Sequence, residues 1–112
     1  MIVLMSTARQ TRGHILVYGQ DAMLLETRSQ IIEQIGFSAA RASAINDFKG
    51  FMSTGEEYAL IVLCQSLSKE HCATAEKILT AETRMIPILK LRSSTTPTDF
   101  IADIERLAGV AH

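Results

Sequence analysis

The sequence contains no tryptophan, only two prolines and only two cysteines. Two cysteines are too few for the disulfide framework of a small secreted domain, so we expect free thiols in a reducing compartment. No apolar run reaches the length of about 18 residues that a membrane-spanning helix needs. The apolar segment at residues 1–5 is also too short for a signal peptide. These absences predict a cytoplasmic protein.

An excess of either charge is also missing. Eleven lysines and arginines face twelve aspartates and glutamates, which gives a formal net charge of -1. The basic residues are scattered along the chain and are not interleaved with aromatic residues, which make up 5% of the sequence. Neither a nucleic acid nor an anionic membrane surface is therefore expected as a partner.

What is present is the composition of one ordinary globular domain. Hydrophobic residues make up 47% and charged residues 21% of 112 positions, which argues against disorder. There is room for one domain and no internal repeat, low-complexity stretch or linker. We therefore predict a polar-tethered tail or arm at residues 1–13 and a single domain at residues 14–112.

Short apolar segments rich in β-forming residues predict strands at residues 14–18, 58–64 and 86–91. A weaker fourth strand is predicted at residues 38–42. The strongest of the four, at residues 58–64, carries no charge, which is typical of a central strand that is covered on both faces.

A helical pattern follows each strand. The predicted helix caps are Asp21, Ser43, Ser68 and Thr96. Strands that alternate with helices favour a parallel sheet between two helical layers. The predicted fold class is α/β, a three-layer α/β/α arrangement around about four parallel strands. The predicted core consists of Leu16, Val17, Leu25, Ile32, Ile61, Val62, Leu63, Ile88, Leu89 and Ile104.

Three segments add a resemblance to a known family. Residues 15–37 read as a strand, an acidic loop and a helix that ends in Gly plus an aromatic residue, while residues 60–68 and 85–89 read as later strands. In order and spacing they resemble the receiver domain of response regulators, over residues 14 to about 92. The resemblance implies a flavodoxin-like fold and a place in a two-component phosphorelay.

The chain departs from that family where the family does its chemistry. The positions that match its paired metal-binding carboxylates are Gly19 and Gln20, and only the next residue, Asp21, is an acid. Its phosphoacceptor aspartate falls on Cys64. The hydroxyl residue that contacts the phosphoryl group falls on Arg92, although the next residue is Ser93. A thiol cannot form an acyl phosphate, and one carboxylate is a poor site for Mg²⁺.

These departures predict a receiver-like module that works without phosphorylation. We expect no catalysis, no cofactor and no metal. The expected mode of action is protein–protein interaction, and the resemblance implies a histidine kinase or an output protein as the partner.

The chain also lacks about one βα unit that the family has before its last helix, because only a few residues separate Arg92 from Thr96. The omission is expected to leave a sheet edge open. Residues 1–5 and the last helix, through Phe100, Ile101 and Ile104, are the candidates to cover it. These three residues are also the candidate interaction surface. We predict self-association as a symmetric homodimer, with an alternative in which the arm folds back on its own sheet.

An alternative function is a thiol-based redox sensor or switch that uses Cys64, at the carboxyl end of a strand. A strongly lowered thiol pKa would favour it, and an ordinary one would favour the interaction module. Cys64, His71 and Cys72 match no zinc-binding spacing. No phosphate-binding glycine motif is present either.

Overall fold

The structure, a computed structural model, describes residues 12–81 and 85–109. Four strands alternate with four helices in this part of the chain, in the predicted order. They are β1 His14–Tyr18, α1 Ala22–Gln34, β2 Ser38–Ala42, α2 Ile45–Ser53, β3 Leu60–Leu63, α3 Lys69–Thr80, β4 Ile88–Lys90 and α4 Pro97–Leu107. The predicted arm lies, except for its last two residues, outside the described part.

The four strands form one parallel sheet in the order β2-β1-β3-β4. Val62 of β3 lies opposite Val17 of β1 on one side and Leu89 of β4 on the other. This order is that of flavodoxin-like sheets, which continue with a fifth strand. The predicted fold class, including the four-stranded sheet, is confirmed.

Each face of the sheet carries its own core layer. Side chains from β1 and β3 meet α1 and α4 on one face through Leu25, Ile32, Phe100 and Ile104. On the other face they meet α2 and α3 through Phe48, Met52, Ala75 and Leu79. All four residues of β3 are buried, as its uncharged sequence predicts.

Three of the four predicted caps are confirmed. The Asp21 carboxylate accepts the N–H groups of Met23 and Leu24, at 3.0 and 3.2 Å. The Ser68 hydroxyl accepts the N–H of His71 at 3.2 Å. Thr96 forms a capping box with Asp99, at the start of α4. Such caps satisfy backbone donors that a helix cannot pair internally.

The predicted cap Ser43 is wrong by one residue. Ala44 occupies the N-cap of α2 and makes no side-chain cap hydrogen bond. The hydroxyl and N–H of Ser43 instead donate to the Asp47 carboxylate, at 3.2 and 3.3 Å. Ser43 therefore lies one residue before the N-cap and contacts the first turn of α2 as a donor.

Ile88 is a wrong assignment to the core, because 37% of the residue is exposed. It lies on the edge strand β4, on the face that α2 and α3 cover. The other nine residues of the predicted core are buried. The predicted bounds of β1 and β2 are confirmed. The other two strands are shorter than predicted, since β3 spans Leu60–Leu63 and β4 spans Ile88–Lys90.

Arg12 fastens the start of β1 to two helices. Its guanidinium donates to both Glu105 carboxylate oxygens, at 2.7 and 2.6 Å, and to the Ile35 carbonyl at 3.0 Å. It also lies 4.6 Å from the centre of the Phe37 ring. The hydrogen bond from Arg12 lowers the pKa of the Glu105 carboxyl.

Among the helices of the described ranges, none is long and apolar enough to cross a bilayer.

Replacing Val62 by aspartate is expected to unfold the domain, because the new carboxylate would be buried without a partner in a strand with no exposed surface. Loss of the cooperative thermal transition in circular dichroism checks this. Met23, 79% exposed on α1, provides the matched control, since Met23→Asp should melt like the parent. A cooperatively melting Val62→Asp protein would show that β3 is not the central strand.

Candidate functional site

The carboxyl ends of β1 and β3 lie side by side, and parallel sheets usually place functional residues at this edge. Gly19 follows β1 and Cys64 follows β3. The Cys64 N–H donates to the Tyr18 carbonyl at 2.9 Å, and the Gly19 N–H donates to the Ala42 carbonyl at 3.1 Å. The structure therefore brings together two of the predicted site positions, Gly19 and Cys64.

Gly19 and Cys64 are in close contact. A Cβ atom on Gly19 would lie 2.9 Å from the Cys64 Cβ, 3.0 Å from its Sγ and 3.2 Å from the Ser66 hydroxyl oxygen. The first distance is shorter than two such carbons tolerate. Position 19 therefore has no room for any larger side chain, including an acid, unless its neighbours move.

Ser66 joins the two loops that follow these strands. Its hydroxyl oxygen accepts the N–H groups of Gln20 and Asp21, at 3.0 and 3.2 Å. In return the Gln20 side-chain oxygen accepts the N–H of Ser68 at 3.3 Å. The role of Ser66 was missed at the sequence level, because nothing local to a serine shows that its partners lie more than 40 positions away.

Asp21 is the one acid among the predicted site positions, and its carboxylate is engaged. The oxygen that caps α1 accepts two backbone N–H groups, and the helix start lies beside it. Within residues 12–81 and 85–109, no group of three histidine, cysteine or acidic side chains is arranged to hold a metal ion. The acid therefore serves the helix.

Cys64 is enclosed, with 3% of its surface exposed. Burial raises the pKa of its thiol to about 11, while the positive charge of Arg28 opposes that shift and the negative charge of Asp21 adds to it. With such a pKa, only about one thiol in ten thousand is ionised at pH 7. Cys64 is thus a neutral packing group and a poor nucleophile.

His71 and Cys72, the other two side chains considered as zinc ligands, lie on α3 and have local partners. The His71 ring nitrogen Nδ1 lies 2.8 Å from the Ser68 hydroxyl. The Cys72 thiol donates weakly to the Glu76 carboxylate at 3.9 Å. Burial, and then the charge of Glu76, raises the pKa of the Cys72 thiol. Both contacts hold α3 together internally.

Arg28 is a buried cation that the sequence-level prediction missed. It lies on α1, 6% exposed, with its guanidinium 5.2 Å from the centre of the Phe100 ring. Its Nε is buried and has no hydrogen-bond partner within the described chain. The spacing from Leu25 to Arg28 to Ile32 puts it on the inward face of α1, and that spacing is the signal that could have found it.

Arg92 lies after β4 and is exposed. Its N–H donates to the Thr95 hydroxyl at 3.0 Å. Together with Asp99 and Asp103 it lines a groove between β4 and α4. Arg92 is therefore part of the loop that leads into α4.

The candidate interaction surface on α4 is wrong for two of its three residues. Phe100 and Ile104 have no exposed surface, because α4 turns them onto the sheet beside α1. Ile101 is half-buried. The apolar stripe of α4 is part of the core.

No protein-family model and no curated protein matches this chain. The chemistry of the site therefore follows from its own geometry. The ends of β1 and β3 present backbone groups, a glutamine, a serine, one capping carboxylate and an enclosed thiol. Such groups can contact another molecule, and Asp21 is the one carboxylate among them.

Gly19→Ala is expected to destabilise the domain by about 1–3 kcal/mol, because the new methyl group overlaps Cys64. Gly50→Ala is the control: no atom lies within 4 Å of the added carbon, and alanine should stabilise α2 by about 0.5–1 kcal/mol. Urea unfolding measures both changes. Equal stabilities for the two variants would show that the Gly19–Cys64 contact is not close.

Cys64 should react slowly with a maleimide at pH 7.5 in a Cys72→Ser variant, and much faster once the protein is unfolded in urea.

The Cys64 thiol pKa, raised to about 11, also affects the free energy of unfolding. Between the ordinary value of 9.0 and about 11 the unfolded thiol ionises first, so stability should fall as the pH rises, by up to about 3 kcal/mol. A Cys64→Ala variant should lack that part of the alkaline loss. Rapid labelling of the native thiol at pH 7.5 would contradict both expectations.

Proposed function

We propose that this chain is a receiver-like signalling module that does not use phosphorylation and acts by protein–protein interaction in or beside a two-component phosphorelay. It is not an enzyme, and it works in the cytoplasm. The observation that carries the proposal is the packing of Gly19 against the neutral Cys64 thiol at the carboxyl edge of the sheet. That edge is where the receiver family, which the sequence resembles, carries its acids.

Acceptance of a phosphoryl group needs an accessible carboxylate and a divalent cation that is held by hard anionic oxygens. Position 64 carries a neutral thiol instead. The one nearby acid, Asp21, already binds two backbone N–H groups of α1. The Ser66 hydroxyl joins the two loops at this edge by accepting the N–H groups of Gln20 and Asp21.

A receiver-like domain without the phosphorylation residues still has the outer surface of its helices and loops for binding. The sheet and its helical layers are complete enough to bury both faces of β3. Binding is then the activity that the remaining surface supports, and a histidine kinase or an output protein is the partner that the family resemblance suggests. The thiol-switch alternative receives no support from Cys64, whose raised pKa and enclosure both oppose reactivity.

Acetyl phosphate, or beryllofluoride with Mg²⁺, should neither modify the protein nor shift its amide resonances, because the acceptor and the metal-binding acids are replaced. Intact mass and two-dimensional NMR spectra check this. Cys64→Asp alone should not restore either response, because Gly19 and Gln20 still supply no carboxylate. A stable phosphoprotein, or a saturable Mg²⁺ titration of the parent chain, would refute the proposal.

The interaction part is tested by affinity purification of the tagged protein from its native host. A histidine kinase or an output protein should be retained equally with and without acetyl phosphate. Retention that requires acetyl phosphate would overturn the phosphorylation-independent mechanism.

A further inference from the structure

The outer side of β4 presents backbone N–H and C=O groups. Within the described residues, these groups have no hydrogen-bond partner. The Pro87 carbonyl accepts the N–H of Ile61, and the N–H of Leu91 donates to the Leu63 carbonyl, so odd-numbered residues of this segment face β3. Because backbone direction alternates along a strand, the N–H and C=O groups of Ile88 and Lys90 point away from the sheet. Two donors and two acceptors are therefore available at this edge.

Two features that usually protect an edge strand are present and do not protect this one. A proline blocks pairing only where its missing N–H faces the open side, and Pro87 faces β3. A lysine repels an incoming strand through its free charge, but the Lys90 ammonium forms an ion pair with the Glu76 carboxylate on α3. That pair turns the charge back over the protein's own helix.

The opposite edge of the sheet, at β2, differs. There the N–H of Ser38 donates to the Gly13 carbonyl and the Ala42 carbonyl accepts from Gly19, so Ala39 and Arg41 face outward. Arg41 is exposed and forms no ion pair within the residues described. A free charge on an edge strand is an established protection against pairing. The two edges are thus protected unequally, and β4 is the receptive one.

Apolar surface accompanies the receptive edge. Ile88 is 37% exposed, and Met85 just before it is 96% exposed. They are two of the three large hydrophobic residues that stand exposed in the described chain. A strand that pairs with β4 would cover Ile88 as well as the free backbone groups.

We propose that β4 pairs with β4 of a second copy of this chain, antiparallel across a two-fold axis, to give a continuous sheet of eight strands. A two-fold axis at Leu89 matches the outward donors of one copy to the outward acceptors of the other. In this register Ile88 lies opposite Lys90 of the second copy, so the two lysines do not face each other.

Amide hydrogen exchange of the full chain, measured over a range of protein concentrations, tests the pairing. The amides of Ile88 and Lys90 should exchange freely in dilute solution and become protected as sedimentation equilibrium reports dimer. The outward amides of Ala39 and Arg41 serve as internal controls and should stay unprotected throughout. A protein that remains monomeric at millimolar concentration, or a dimer with unprotected Ile88 and Lys90 amides, overturns the proposal.

Two variants test whether the side chains of β4 determine dimerisation. Ile88→Lys adds a charge to the open edge and should abolish dimerisation at concentrations where the control Thr27→Lys, on the exposed side of α1, leaves it intact. Glu76→Gln frees the Lys90 charge and should raise the dissociation constant about two- to fivefold. Dimers that are unaffected by Ile88→Lys contradict the assignment.

The N-terminal residues 1–5 are the alternative partner for the β4 edge. The same hydrogen-exchange and sedimentation experiments distinguish this alternative. Protection of Ile88 and Lys90 that does not depend on concentration would mean that the chain covers its own edge, and it overturns the proposal. Loss of the dimer in Val3→Pro would assign the pairing to an arm from the neighbour and would overturn it as well. Unchanged dimerisation of Val3→Pro, with protected β4 amides, supports it.

Discussion

The burial of β3 on both faces is the constraint on which the rest of the structure depends. Leu60–Leu63 has hydrogen-bonded neighbours on both sides and helices above and below, so each backbone and side-chain group must find a partner inside the protein. Two helical layers and short connections are the arrangement that meets this demand in a chain of this length. The order β2-β1-β3-β4 follows, with β1 and β3 at the centre.

The character of the carboxyl edge is a consequence of that central pair. Because β1 and β3 are neighbours, the residues that follow them, Gly19 and Cys64, are forced into contact. The glycine allows the approach, and the thiol fills the space without a charge. The Ser66 hydroxyl then satisfies two N–H groups of the facing loop that would otherwise need a ligand or water. The carboxyl edge of the sheet is therefore a packed and hydrogen-bonded junction.

Charge in this protein is placed where structure needs it. Arg12 and Glu105 join the start of β1 to α4, and Lys90 and Glu76 join β4 to α3. Exposed pairs of this kind contribute little stability each, but they decide which side chains remain free to repel a neighbour. Arg28 differs from these exposed ions because it is buried, with its guanidinium over the Phe100 ring. Its positive charge favours ionisation of the Cys64 thiol. Its charge does not overcome the effect of burial, and the Cys64 thiol remains neutral.

The sequence by itself determined the fold class, the order of the elements and most of the core, because these depend on local periodicity and on helix caps. The apolar run of β3, and the capping residues Asp21, Ser68 and Thr96, act within a few residues of themselves. Tertiary structure decided what depends on distant partners. It placed the cap of α2 at Ala44 and left Ser43 as a donor to Asp47. It exposed Ile88 because its strand lies at an edge, and it buried Phe100 and Ile104 because α4 packs onto the sheet. It also joined Ser66 to Gln20 and enclosed Cys64, contacts between segments more than 40 positions apart that no local pattern encodes.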